Sequence, residues 1–300
     1  MTRPDARPRR LRLPDGRILA YQFYGASDGR PLYYFHGFPG SRLQAALHHE
    51  QALAANVCLV AAERPGFGWS DYQPGRNILD WAEDVAFMAD TLGHQRFGVL
   101  GVSCGGPYAL ACAHRLGERL DYVGLLAGIG PMDIPALRTA QLPALKALFG
   151  LARLHPRLAS PLLALDRLMF LRNPARALNA LAGLLAEPDR QLLAAKPQTA
   201  EDFADFLAEA YRQGVRGACL EAALIAAPRP FALEDIQSPV HLYQSGLDRH
   251  VPEAMGRHLQ AHLPCANLRL YPQEGHLSIV INQFPQVLAD FEHSRLNEAA

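Results

Sequence analysis

From Arg10 to Gly130 the chain alternates between short apolar runs and longer stretches in which apolar side chains recur every three or four positions. The opening segment, RLRLPDGRILAYQFYG, alternates apolar and polar residues on either side of Pro14-Asp15-Gly16, which predicts an antiparallel hairpin. Four compact runs follow: PLYYFHG, VCLVAAERPG, FGVLGVS and LDYVGLLAGIG. Each is short enough for a strand buried on both faces, and each ends at or near a glycine or a turn. Helical patterns fill the gaps: SRLQAALHHEQALAAN after the first run, NILDWAEDVAFMADTLG before the third with Asn77 as N-cap, and SCGGPYALACAHRLGE after the third. Strand then helix, repeated, predicts an α/β fold with a mostly parallel central sheet covered by helices on both faces.

Near Met132 the alternation stops, and Ala/Leu-rich segments cut by prolines predict several short helices up to Pro230. Strands return in PVHLYQSGLD and ANLRLYPQEGH, with PEAMGRHLQAHLP as a helix between them and a closing helix through FPQVLADFEHSRLNE. The expected organisation is one core, residues 1–131 and 231–300, interrupted by a helical insertion at 132–230 that acts as a cap.

A chain of 300 residues, 49% of them hydrophobic, can bury a large core. Its 29 Lys and Arg balance 29 Asp and Glu, so the charge total offers no footprint for nucleic acid or an anionic membrane and points to a small-molecule partner. Five scattered cysteines without metal-ligand spacing read as free, buried thiols. The arginine-rich N-terminus, with Arg3, Arg7, Arg9 and Arg10, reads as a solvated arm and lacks the apolar run of a secretory signal, so a cytoplasmic location is expected. The most apolar later stretch is broken by Asp166, Arg167, Arg172 and Arg176, too many charges for a membrane span. Monomer and homodimer both remain open.

Chemistry concentrates in GVSCGG, where Ser103 and Cys104 stand side by side. Gly101 and Gly105 bracket Ser103 in a G-x-S-x-G frame, the pattern of a tight strand-to-helix turn whose central residue takes an unfavourable backbone conformation. Shifting the frame to Cys104 replaces the first glycine by Val102, so the register selects serine as nucleophile. Cys104 then opens the helix and offers its backbone N–H to an oxyanion.

With that motif at the end of a buried strand, the chain resembles the α/β-hydrolase superfamily, and its esterase and lipase-like members in particular. HGFPGS (His36 to Ser41) resembles the family's loop after the third strand, which implies a second oxyanion N–H from Phe38, a bracing role for His36, and both His36 and Gly37 beside the substrate. ERPGFGWSD resembles the family's D-R-P-G-x-G-x-S signature, with Glu63 in place of aspartate.

A serine hydroxyl needs a base to take its proton and an acid to orient that base. His276, just past the last strand in QEGHLS, sits where the hydrolase chain order Ser, Asp, His places the base. Asp248 in YQSGLDRHVP is the leading acid, and Asp133, after the strand ending LLAGIG, is its rival. The implied reaction is ester cleavage through an acyl-enzyme, requiring neither metal nor cofactor. Trp69 and Tyr108 are expected as aromatic walls beside Phe38, and an apolar acyl or small aromatic ester as substrate. Carbon-carbon bond hydrolase, lactonase, thioesterase and aminopeptidase-like chemistry stay open, as does a receptor without turnover. Glu201, Asp202, Asp205, Glu209 and Glu221 are candidate anchors for a substrate amine.

Overall fold

The apolar runs assemble into one eight-stranded sheet in the structure, a computed structural model that describes residues 7–173, 176–177 and 183–296. The strands are β1 (Arg9–Arg12), β2 (Ile18–Gly25), β3 (Arg30–Phe35), β4 (Val57–Ala62), β5 (Phe97–Val102), β6 (Leu120–Leu126), β7 (Val240–Ser245) and β8 (Ala266–Tyr271). Their spatial order is β1-β2-β4-β3-β5-β6-β7-β8. The predicted hairpin is present, with Arg12 opposite Ile18 and β2 also antiparallel to β4; every pairing from β4 onward is parallel. Arg9 and Arg10 therefore belong to an edge strand rather than a solvated arm, while Arg3 lies outside the described residues.

Because β3 lies between β4 and β5, the chain leaves it in one direction and returns on its other side. That reversal opens a crevice at the carboxyl ends of β3 and β5, where open α/β sheets bind ligands.

In β3, Tyr33 and Phe35 pack into the layer holding Trp81, Val85 and Met88, whereas Leu32 and Tyr34 pack into the opposite layer with Val287 and Phe291. Both faces are buried, which is why the run is continuously apolar. The core helices are α1 (His49–Ala54), α2 (Asp80–Leu92) and α3 (Gly106–Leu116). Ahead of α1, residues Arg42–His48 wind as a 3-10 helix where a single α-helix was expected. Asn77 Oδ1 accepts the Leu79 N–H and Asp80 Oδ2 accepts the Asn77 N–H, the reciprocal bonds of a capping box, although the helix proper begins only at Asp80. Four of the five free cysteines are buried; Cys265 is exposed, against the expectation that all were interior.

Between β6 and β7 lie α4 (Pro143–Leu154), a 3-10 turn (Pro156–Ala159), α5 (Ser160–Arg172), α6 (Glu187–Ala195), α7 (Pro197–Ala210) and α8 (Arg216–Ala226). After β7 come α9 (Glu253–His262), α10 (His276–Asn282) and α11 (Phe284–Leu296). Among the described residues no helix is long and apolar enough to cross a membrane.

The helices between β6 and β7 sit on the sheet's carboxyl end through an apolar cluster that joins Phe149, Tyr211 and Ala222 to Phe67, Cys104 and Met255. Two buried ion networks pin them there. Arg64 bridges to Glu221 on α8 through Nε at 2.9 Å and Nη2 at 2.6 Å, and Arg76 Nη2 reaches the same carboxylate at 3.1 Å. Arg42 Nη1 spans Glu63 at 2.5 Å and Glu209 of α7 at 2.6 Å. Glu63 is wholly buried and also accepts the Trp69 N–H at 2.7 Å; burial pushes its carboxyl up to about 7 against the pull of Arg42. The carboxylate needs the space left by Gly68 (φ +49), where a Cβ would stand 2.1 Å from Glu63 Oε1.

Truncating Glu221 leaves two buried guanidinium groups without their carboxylate. Glu221→Ala is expected to cost about 3–5 kcal/mol in chemical denaturation, far more than a substitution at exposed Glu201.

Candidate active site

β5 ends at Val102, and Ser103 follows with φ +53, a left-handed conformation that costs a serine energy and turns the chain into the short 3-10 segment ahead of α3. The turn is too tight for side chains on either flank. A Cβ on Gly105 would stand 2.1 Å from the Phe35 carbonyl oxygen, and one on Gly101 would stand 2.5 Å from that of Gly105. Ser103 thereby opens onto a cavity. Cys104 packs into the cluster with Phe67, Ile129 and Met132, where burial pushes its thiol up to about 12 against the pull of a side-chain hydrogen bond with Ser103. A thiol so seldom ionised is a poor nucleophile.

The loop after β3 meets this turn across the crevice, where a Cβ added to Gly37 would stand 3.5 Å from Ser103 Cβ. The Gly37 N–H donates to Gln44 Oε1 at 2.7 Å. Beneath the loop, Arg64 Nη1 donates to the His36 carbonyl at 2.6 Å and Nη2 to that of Gly37 at 2.9 Å. His36 lies fully buried; its Nδ1 pairs with the Gly37 carbonyl at 2.9 Å, and its Nε2 accepts the Arg64 N–H at 3.3 Å. Burial, reinforced by the Arg64 charge, holds that imidazole well below the usual histidine range, so it is neutral.

On the far side, His276 begins α10 and pairs through Nδ1 with Asp248 Oδ2 at 2.6 Å. Asp248 Oδ1 accepts the N–H groups of His250 and Val251 at 2.7 and 2.9 Å. Burial pushes the Asp248 carboxyl up, but the charge and hydrogen bond of His276 outweigh it and hold the group below the usual carboxylate range. His276 mirrors this: burial lowers its pKa, and Asp248, helped by Asp189, raises it above the ordinary 6.5. Asp133, the rival acid, instead exerts its charge on Arg229.

Three residues near this centre were not legible as partners in the sequence. Asp189, at 1% exposure on α6, accepts the N–H groups of His276, Leu277 and Ser278 at 3.1, 3.0 and 2.8 Å, capping α10 from a different helix. His250 stacks on His276 with ring centroids 4.7 Å apart; burial and then the His276 charge push it down to about 4, so it stays neutral. Gln44 secures the Gly37 N–H. Asp248, His250 and His276 also bring potential metal-ligand atoms within 4.8 Å of one another. The 2.6 Å hydrogen bond already occupies two of those atoms with each other.

The cavity has a volume of about 410 Å³ and reaches from Gly37, Phe38, Ser103 and His276 into the helices between β6 and β7, where Leu145, Leu148, Leu163, Met169, Phe170 and Phe206 line it. Expectation and structure part at three residues. His36 lies behind the loop as a brace, out of the cavity. Tyr108 is buried against Trp81 and donates to Glu221 at 3.2 Å. Trp69 is half-buried and out of the cavity, with the guanidinium groups of Arg212 and Arg10 at 3.5 and 5.0 Å from its ring. Nor do the five acids considered as amine anchors line the wall: Glu209 and Glu221 are spent on arginines, and among the described residues the acid that does line it is Asp166.

The chain belongs to the alpha/beta hydrolase fold family, whose sequence pattern matches residues 30–283. Among solved structures it is similar to a thermophilic esterase from Thermogutta terrifontis, at 20% identity and a TM-score of 0.70 over 96% of this chain and 98% of that one. It is similar also to an enol-lactonase from Burkholderia xenovorans, at 17% identity and a TM-score of 0.67 over 95% and 100% of the two chains. A meta-cleavage product hydrolase from Pseudomonas fluorescens matches at 20% identity and a TM-score of 0.64, over 95% and 96%. Identities this low establish a shared fold and leave the reaction to the site itself.

Glycine tolerates the conformation of residue 103, so Ser103→Gly is expected to be more stable than Ser103→Ala by about 1 kcal/mol in thermal denaturation. Asp189→Ala leaves three N–H groups of α10 without their acceptor and is expected to cost about 1–2 kcal/mol in the same assay.

Proposed function

We propose that the protein is a serine hydrolase that cleaves neutral carboxylic esters with apolar acyl groups through an acyl-enzyme. The observation that carries this reading is one cavity onto which open both Ser103, at φ +53, and His276, whose Nδ1 is held by buried Asp248. With Nδ1–H donated to Asp248, Nε2 of His276 is left as base.

In the proposed reaction Ser103 Oγ attacks the ester carbonyl carbon while His276 Nε2 takes its proton. The oxyanion is received by backbone N–H groups of Cys104 and Phe38; the Gly37 N–H is committed to Gln44, so the loop's contribution comes from the next residue. Collapse of the tetrahedral intermediate breaks the carbonyl carbon–alkoxy oxygen bond, and His276 returns the proton to the departing alcohol. Water, deprotonated by His276, then attacks the acyl-enzyme, and release of the carboxylic acid restores Ser103. Asp248 stabilises the imidazolium formed in each half-reaction.

The helices between β6 and β7 serve as the cap that selects the acyl group. Their lining is mostly leucine, with Met169, Phe170, Phe203 and Phe206, and among the described residues no lysine or arginine lines the cavity. A substrate bearing its own carboxylate would meet no counter-charge there, which favours a neutral acyl ester over an acidic substrate.

A fluorophosphonate probe is expected to label Ser103, as located by mass spectrometry, and to leave His276→Ala unlabelled. Labelling on Cys104, or none on the folded protein, would overturn the acyl-enzyme reading. The base must be neutral to accept a proton, so activity falls as pH drops through its pKa; with His276 raised, the acidic limb of kcat/KM is expected above about 6.5. Asp189→Asn removes one of the two charges that raise it while keeping an acceptor oxygen, and is expected to move that limb to lower pH.

A further inference from the structure

Ten large apolar side chains stand exposed among the described residues, and seven of them fall within one short stretch: Leu151, Leu154, Leu158, Leu162, Leu165, Leu168 and Leu171. This concentration marks a surface rather than the scatter expected of any soluble protein. Leu154 is 77% exposed and Leu165 55%. The stretch runs along the C-terminal half of α4, the 3-10 turn Pro156–Ala159 and nearly all of α5. On α5, Leu163 and Phe170 point inward, while Leu165, Leu168 and Arg172 share an outer face by helical spacing.

The charge total conceals a local asymmetry at the same place. From Pro143 to Arg172 the chain carries Lys146, Arg153, Arg157, Arg167 and Arg172 against a single acid, Asp166, within a protein whose overall charge is zero. Asp166 lines the cavity and accepts the Tyr211 hydroxyl at 2.6 Å, so it does not offset the outer surface. Arg153, Arg157 and Arg172 are exposed. Leu162, Leu165 and Leu184 belong both to this exposed set and to the cavity lining, so the apolar surface runs into the cavity's mouth.

From this geometry we infer that the outer surface of α4 and α5 docks on an anionic lipid leaflet, with the leucines entering the headgroup boundary and the arginines meeting lipid phosphates. Charge decides between this occupant and a second copy of the chain. A two-fold dimer would set this basic surface against itself, whereas an anionic leaflet supplies the missing counter-charge. The consequence for catalysis, which rests on the ester-cleaving reading, is that an amphiphilic ester passes from the leaflet into the cavity without crossing water.

Flotation with vesicles of phosphatidylcholine alone, or equimolar with phosphatidylglycerol, tests the docking directly. Wild-type protein and Ser103→Ala are both expected to float with the anionic vesicles, at least about tenfold more weakly with neutral ones, and to detach at high salt. The pair Leu154→Ser with Leu168→Ser, and the triple Arg153→Gln, Arg157→Gln and Arg172→Gln, are each expected to lose at least about tenfold in anionic binding. Both should keep the wild-type circular dichroism spectrum and the rate on a short, water-soluble ester, since none of these side chains lines the cavity. Failure of the folded wild type to float, equal binding to both vesicles, or undiminished binding by the variants would overturn the proposal. So would a sedimenting dimer that the leucine pair dissolves, since the surface would then be an interface between copies. If vesicle binding persists while no ester is turned over, the docking stands and the hydrolase reading falls.

Discussion

One guanidinium, that of Arg64, joins the parts of this protein that must stay in register. It lies wholly buried, donates to the His36 and Gly37 carbonyls of the loop after β3, and clamps Glu221 on a helix contributed from between β6 and β7. A planar fork with five donors can serve these partners at once, and a lysine ammonium cannot. Burying it is costly, so the arrangement survives only because every partner is present together. The loop backbone, the floor under Ser103 and the overlying helices are thus held as one unit. The second network, Arg42 between Glu63 and Glu209, repeats this connection a short way along the same edge.

The proposed base is governed by the same helical layer. Its acid partner, Asp248, comes from the loop after β7, but the turn that carries His276 is capped by Asp189 of α6. Two buried carboxylates therefore act on one imidazole, one by a hydrogen bond to the ring and one through the backbone and by charge. Stacked His250 remains neutral, so a proton arriving at this cluster resides on His276.

The site's electrostatics and its outer surface answer different demands. Inside, the lining is leucine and phenylalanine with a few polar groups near Ser103, as suits desolvation of a neutral acyl chain. Outside, leucines and arginines share the exposed side of the same helices, so α5 has no clear apolar-in, polar-out division.

Periodicity alone carried the strand and helix order, because a strand buried on both faces must be continuously apolar and a helix packed on a sheet must repeat every three or four residues. The glycine spacing likewise chose Ser103 over Cys104, since the steric demands of a turn are local, and the wall of the Phe35 carbonyl beside Gly105 is the physical form of that demand. That Asp248 and His276 lie together was legible because each follows a strand end. What the sequence left undetermined was direction and partnership. Tyr108 and Trp69 are aromatic residues expected at the cavity wall, yet one is turned into a buried ion network and the other lies against arginine guanidinium groups. The bonds of Arg64 to Glu221 and of Asp189 to the His276 turn join residues far apart in the chain, and a charged residue's sequence neighbours say nothing of which distant group will neutralise it. Only the tertiary structure decided those pairings, because a buried charge takes its partner from the space around it.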